Sequence, residues 1–349
     1  MGLWLFLLPA FSLAQAPKSG PWEMQSSGTT ANLRGIHAVG GGVAWASGTN
    51  GTVLRTEDGG YMWQSCAVPP GAEKLDFRGI WAWDANTAIV MSSGPGDQSR
   101  LYETTDGCSH WTLLYTNPDK DGFWDAVVFQ NKRRGFLLGD PVNGKFVFLT
   151  TEDGGQHWVR SEGSGLEADS KAKGAFAASN SSLLGRPQEP VIFGTGGAFV
   201  YSRSFFAKPG TPIKMAEQWK RYSVPLANAG DAAGIFSLGH HAGKGTLVAV
   251  GGDYTKPNES AGTAAWSSDG GQHWTAATKP PHGYRSAVAW DADAKAWIAV
   301  GTNGSDISYD DGKTWQPLDD GNWNALSLPW VVGPKGRIAR LGLPNSSHP

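Results

Sequence analysis

Cys66 and Cys108 are the only thiols in this 349-residue chain, and no His or Asn pairing that would make either a nucleophile is readable around them. An oxidising compartment permits a disulfide between the two; a pair of buried free thiols is the other reading. Charge of one sign is lacking as well. A formal net charge of −2 leaves no basic footprint, so nucleic acid is not an expected partner. Long apolar runs are absent beyond Leu3–Leu13, which is too short to span a bilayer comfortably. Followed by the small-x-small site Ala14-Gln15-Ala16, that run predicts a secretory signal over residues 1–16, cut after Ala16. The mature chain, residues 17–349, then reads as a single domain, secreted or periplasmic, a monomer with no membrane span. Ligand spacing is missing too: His240-His241 and the scattered His110, His157 and His273 form no metal set. Gly40-Gly41-Gly42 opens no helix and so is no phosphate loop. Neither a metal nor a cofactor is expected.

Glycine and tryptophan are plentiful, 48 and 17 residues, which suits an all-β chain of many turns and aromatic wedges. Five times a Ser or Thr is followed at fixed distance by Asp, then Gly, then Trp. The pairs are Asp58 with Trp63, Asp106 with Trp111, Asp153 with Trp158, Asp269 with Trp274, and Asp310 with Trp315. Their chemistry is that of a turn. The hydroxyl and carboxylate accept hydrogen bonds from backbone amides, Gly supplies positive φ, and Trp lays its ring against the neighbouring unit. Self-similarity at ~40–50 residues marks a repeat architecture. The five copies resemble the Asp-box, or bacterial neuraminidase repeat, of β-propellers, and each Asp reads as a structural staple and not as a catalytic acid. Cys66 and Cys108 fall in adjacent repeats, and the box histidines fall on exposed turns.

Between boxes, short alternating runs separated by Gly and Asn recur. Blade one reads Leu33–Val39, Gly42–Gly48, Thr52–Thr56 and Trp63–Val68. Later inner strands are expected to start near Phe77, Phe123, Gly174, Gly234, Tyr284 and Trp323. Blade four carries a degenerate box that begins at Tyr201-Ser202-Arg203-Ser204, is interrupted by Pro209–Ala216, and resumes at Trp219. At the C-terminus, Trp323–Leu328, Trp330–Gly333 and Arg337–Leu341 form three strands without a fourth. Trp22–Ser26 is a fourth strand without a box. The expected fold is therefore a seven-bladed β-propeller whose N-terminal strand closes the last blade, which removes open sheet edges. Six blades with a frayed tail is the alternative.

In such a fold the box turns occupy one face and the inner-strand starts the other, around the channel mouth. Three starts carry arginine: Arg34, Arg78 and Arg285. Blade three offers Trp124 and Asp125, blade five Asp231, and blade seven Trp323 and Asn324, while return loops add Asp140, Asp253 and Tyr254. Guanidinium forks bind carboxylates bidentately, so a protein C-terminus or an acidic sugar is the expected ligand class. The competing reading is that Arg–Asp pairs knit the hub together and bind nothing.

The run Gly48–Thr56 leading into the first box, echoed by Gly301-Thr302-Asn303-Gly304, makes nearly the whole mature chain similar to photosystem II stability/assembly-factor-like propellers. That resemblance implies an exported, non-catalytic scaffold with protein partners. A more distant resemblance to sialidases implies a glycosidase in which Arg34, Arg78 and Arg285 clamp an acidic sugar, Tyr254 is the nucleophile and Asp125 or Asp140 the acid. The sialidase F/Y-R-I-P motif is absent from Leu33-Arg34-Gly35-Ile36 and Phe77-Arg78-Gly79-Ile80. No Glu is visibly placed to activate Tyr254.

Overall fold

A computed structural model describes residues 20–204, 218–241 and 243–342. The signal expected over residues 1–16 and the Pro209–Ala216 insertion lie outside the described residues. Seven four-stranded antiparallel sheets form a β-propeller, and six of them are built from consecutive strands. The seventh joins Ala325–Ser327, Trp330–Val332 and Ile338–Leu341 to the N-terminal Trp22–Gln25. Trp22 pairs with Leu341 and Gln25 with Ile338. The Trp22 indole donates to Ser305 Oγ of blade six at 3.0 Å.

Seven apolar clusters hold the ring together, each drawn from two neighbouring blades. Every box Trp enters the cluster shared with the preceding blade: Trp63 packs with Trp330, and Trp111 with Trp45. Trp219 of the degenerate box does the same beside Phe148 and Phe193. Burying one such ring is worth roughly 3 kcal/mol, and the repeat supplies it at each junction.

The turns that aim these rings share one hydrogen-bond pattern. In blade three, Thr151 Oγ1 accepts the Gly155 N–H at 2.9 Å and Asp153 Oδ1 accepts the His157 N–H at 3.0 Å. Blade six repeats it with Ser308 and Asp310, at 3.1 and 2.8 Å. His110, His157 and His273 are exposed, each with Nδ1 on the box carboxylate. The bond from His110 leads in holding the Asp106 carboxyl down to about 2.

In blade two the last box glycine is replaced by Cys108, at φ 65°. Cys108 is bonded to Cys66 of blade one, with Cα atoms 5.3 Å apart. The bond closes a 42-residue separation, a loop for which chain entropy predicts about 4 kcal/mol of stabilisation.

Blade four departs from expectation. Its inner strand starts at Gly174, whose O accepts the Gly196 N–H at 2.8 Å, but is then interrupted. Residues 175–181 leave the blade and cross the channel before Ser182 O accepts the Gly194 N–H at 2.8 Å and Leu183–Leu184 follow as regular strand. The polar side chains there bond to other blades in place of a sister strand. Asn180 Nδ2 donates to Val127 O at 2.9 Å and Ile80 O at 3.4 Å. Ser179 Oγ donates to Ser286 O at 2.7 Å, and Ser181 Oγ to Ser237 Oγ at 2.7 Å. This segment floors the channel and ties blades two, three, five and six to blade four.

Candidate functional site

The mouth above this floor is shaped by a recurrent irregularity. In blade one Leu33 pairs with Gly48 but Gly35 with Ser47, so Arg34 is an extra residue. Arg78, Asp125 and Phe236 are the extra residues of blades two, three and five. A β-bulge of this kind re-aims a side chain. All four side chains line one cavity of about 440 Å³. Blades six and seven place Ser286 and Asn324 equivalently: their N–H groups reach Val300 O and Val332 O, the partners of the next residue along. Both also line the cavity.

The residue after each bulge is small: Gly35, Gly79, Ala126, Ser237, Ala287 and Ala325. At Gly35 the reason is steric, since a Cβ would stand 2.6 Å from Ser47 Oγ and 2.9 Å from Arg78 O. The pattern large–variable–small is the sequence signal that aligns the blades at this face.

That alignment corrects the reading of Arg285. Matching Tyr284-Arg285-Ser286-Ala287 to the other blades by its arginine is one residue out of step, and a one-residue shift on a strand moves a side chain to the opposite side. Arg285 is fully buried away from the cavity. Its Nε donates to Asp306 Oδ2 at 2.6 Å, and one terminal nitrogen donates to Asn303 Oδ1 and Tyr284 O, both at 2.6 Å. It knits blade six together and is unavailable to a ligand.

Arg34 and Arg78 differ from it. Among the described residues Arg34 has no hydrogen-bond or ion-pair partner, and its Nε is buried unpaired. Burial, and then the neighbouring Arg78 charge, lower its pKa from the usual arginine value. Arg78 is half-satisfied: Nε donates to Asp76 at 2.8 Å and a terminal nitrogen reaches Ala177 O at 3.4 Å.

The acids divide in the same way. Asp125 is buried with Oδ2 unpartnered, and burial, reinforced by Asp140, pushes its carboxyl well above the usual range. Burial also raises Asp140, whose Oδ1 accepts the Ala175 N–H at 2.9 Å. Asp231 is exposed at the rim and pairs with Lys173 at 2.9 Å. Asp253 accepts from Thr255 within its own turn and is not on the cavity wall.

Trp124 also lies off the wall, buried and stacked on Tyr115 at 5.6 Å, and Trp323 is packed against Trp22. Tyr254 is on the wall and half exposed. Beside it stands an aromatic group that the sequence reading did not assemble. Phe176 stacks on Phe236 with centroids 3.7 Å apart, and Phe236 meets Tyr284 edge-on at 4.8 Å. Phe176 was hidden because its segment belongs to no regular strand.

The bowl therefore joins two under-satisfied guanidiniums to an aromatic wall and a buried, neutral-leaning carboxyl. It suits a carboxylate carried on an apolar or peptide body. No glutamate lines it, and with Arg285 elsewhere it offers two arginines and not three. Among the described residues no group of three or more His, Cys, Asp or Glu side chains is placed to hold a metal ion. No helix there is long and apolar enough to cross a membrane.

No family model matches the chain. It is similar to the photosystem II assembly lipoprotein Ycf48 of Synechococcus sp. (strain CC9902), at 23% identity over 342 residues, covering 92% of this chain and 88% of that protein. The same fold is seen in a solved structure described as YCF48 bound to D1 peptide, with a TM-score of 0.64 and 18% identity. That match covers 94% of this chain and 99% of the other. YCF48 from Cyanidioschyzon merolae superposes with a TM-score of 0.62 at 18% identity, covering 92% and 98%.

Proposed function

We propose that this chain is an exported, non-catalytic binding scaffold that grips a protein partner by a carboxylate-bearing segment at the channel mouth. The observation that carries this reading is Arg34, a half-buried guanidinium whose Nε is shut from water without a partner, facing a cavity it shares with Arg78 and an aromatic wall. An unpaired buried charge is costly unless a ligand completes it. The likeness to propellers whose descriptions name an assembly role and a bound peptide supports a protein partner over a sugar. The inter-blade disulfide supports an oxidising compartment. The glycosidase alternative loses the third arginine of its clamp.

The test uses peptides selected on the purified protein from a random dodecapeptide library displayed with free C termini. Anisotropy titrations compare each peptide with its C-terminal amide. The free acid is expected to bind at least tenfold tighter, and Arg34→Ala to abolish that difference without moving the thermal midpoint. Equal binding of acid and amide would refute the reading. Turnover of a fluorogenic sialoside by the wild type would restore the enzymatic one.

A further inference from the structure

The wall of the bowl is interrupted on one side. Six blades have inner strands of three to nine residues; the regular part of the inner strand of blade four has two. Beside the start of that strand and the crossing segment, a second cavity of about 570 Å³ opens. Asp140, Ala175, Phe176 and Asp231 line both spaces, so one leads into the other.

The character of this groove differs from that of the bowl. Ser170, Lys171, Lys173 and Asp231 line it, while its Gly196 and Gly197 are buried against this chain's own backbone, Gly174 O accepting the Gly196 N–H and Ala233 O that of Gly197. Lys171 sits at its side with no ion-pair partner among the described residues, while Lys173 is engaged by Asp231. An extended chain presents polar backbone groups every ~3.3 Å. A polar-walled track with one free cation suits such a chain better than it suits a compact apolar ligand.

We propose that this groove is the track for the stretch of the partner's chain immediately preceding its carboxylate end, which enters the bowl over blade four. The inference rests on the bowl being the carboxylate site. Because residues 175–181 close the channel below, a chain whose end lies on Arg34 must leave across the rim. Blade four is where space continues past the rim. The occupant is an extended peptide, neutral or mildly acidic to suit Lys171.

The experiment pairs each selected dodecapeptide with its own C-terminal tetrapeptide, on wild type, Arg34→Ala, Asn228→Trp and Ser223→Trp. Asn228 and Ser223 line the groove, are solvent-exposed and are not on the wall of the bowl, so tryptophan there obstructs the groove without touching the arginines. The expected result is that either tryptophan weakens the dodecapeptide at least tenfold and leaves the tetrapeptide within twofold, while Arg34→Ala weakens both. If both tryptophan variants bind the dodecapeptide like the wild type, or if the tetrapeptide already binds as tightly, the track is wrong and the bowl stands. If Arg34→Ala changes neither peptide, the carboxylate site itself fails and the track fails with it.

Discussion

The two ends of the same blades treat polar groups in opposite ways. At the box turns, each Ser/Thr hydroxyl and Asp carboxylate is answered by a backbone N–H within about a turn, five times over. At the mouth, the Nε of Arg34 and the Oδ2 of Asp125 are buried without partners. The box end is repeated because five of the seven blades use the same turn to aim a ring into the junction with the preceding blade. The mouth is varied because its bulged positions hold Arg, Arg, Asp, Phe, Ser and Asn, which no requirement of closure dictates. Polar satisfaction marks the end that stabilises, and its absence marks the end that recognises.

That contrast can be broken by experiment. The largest effect is expected at Arg285, which shares the mouth's residue type but not its role. Arg285→Ala strands buried Asp306 and should lower unfolding free energy by about 3–5 kcal/mol, whereas Arg34→Ala should change it by less than about 0.5 kcal/mol. Urea titration of both variants reads the difference; equal losses would erase the distinction between the two arginines. Next comes the staple itself. Thr151→Val removes the acceptor of the buried Gly155 N–H and should cost about 2 kcal/mol while leaving peptide affinity unchanged.

The smallest effect, about 1 kcal/mol for one unpartnered buried group, is expected at Asp125 and runs the other way. Its carboxyl is raised in the fold, so the stability it contributes is fully present below the unfolded value near 3.9. That contribution is lost as pH climbs toward the folded one. Asp125→Asn should therefore equal the wild type at pH 4 and exceed it at pH 8. Thermal midpoints across that range would show the curves separating. Parallel curves would mean that the carboxyl is satisfied.

The architecture was legible because the box chemistry is local: a hydroxyl, a carboxylate, a glycine and an indole within eight residues specify the turn without help from the rest of the chain. Closure could be read from the unmatched strands at the two termini. The mouth was legible only in part. Arg34, Arg78, Asp125, Asp140 and Tyr254 do line the cavity, but Arg285 was aligned by residue type when backbone register was the controlling variable. The interruption of blade four was not legible because the side-chain hydrogen bonds of Ser179, Asn180 and Ser181 go to four other blades, contacts that no periodicity along the chain announces. Phe176, the centre of the aromatic wall, was lost with it.

The pairing of Trp22–Gln25 with Ile338–Leu341 gives the ring a seam. Six blades can each form from neighbouring sequence, but the seventh waits for strands more than three hundred residues apart to meet, a contact order that makes its closure late and slow. Four paired residues then hold the circle shut. Until they do, Ile338–Leu341 is an open edge able to accept the same strand from another copy, which makes reciprocal exchange of N-terminal strands the natural misassembly of this protein at high concentration.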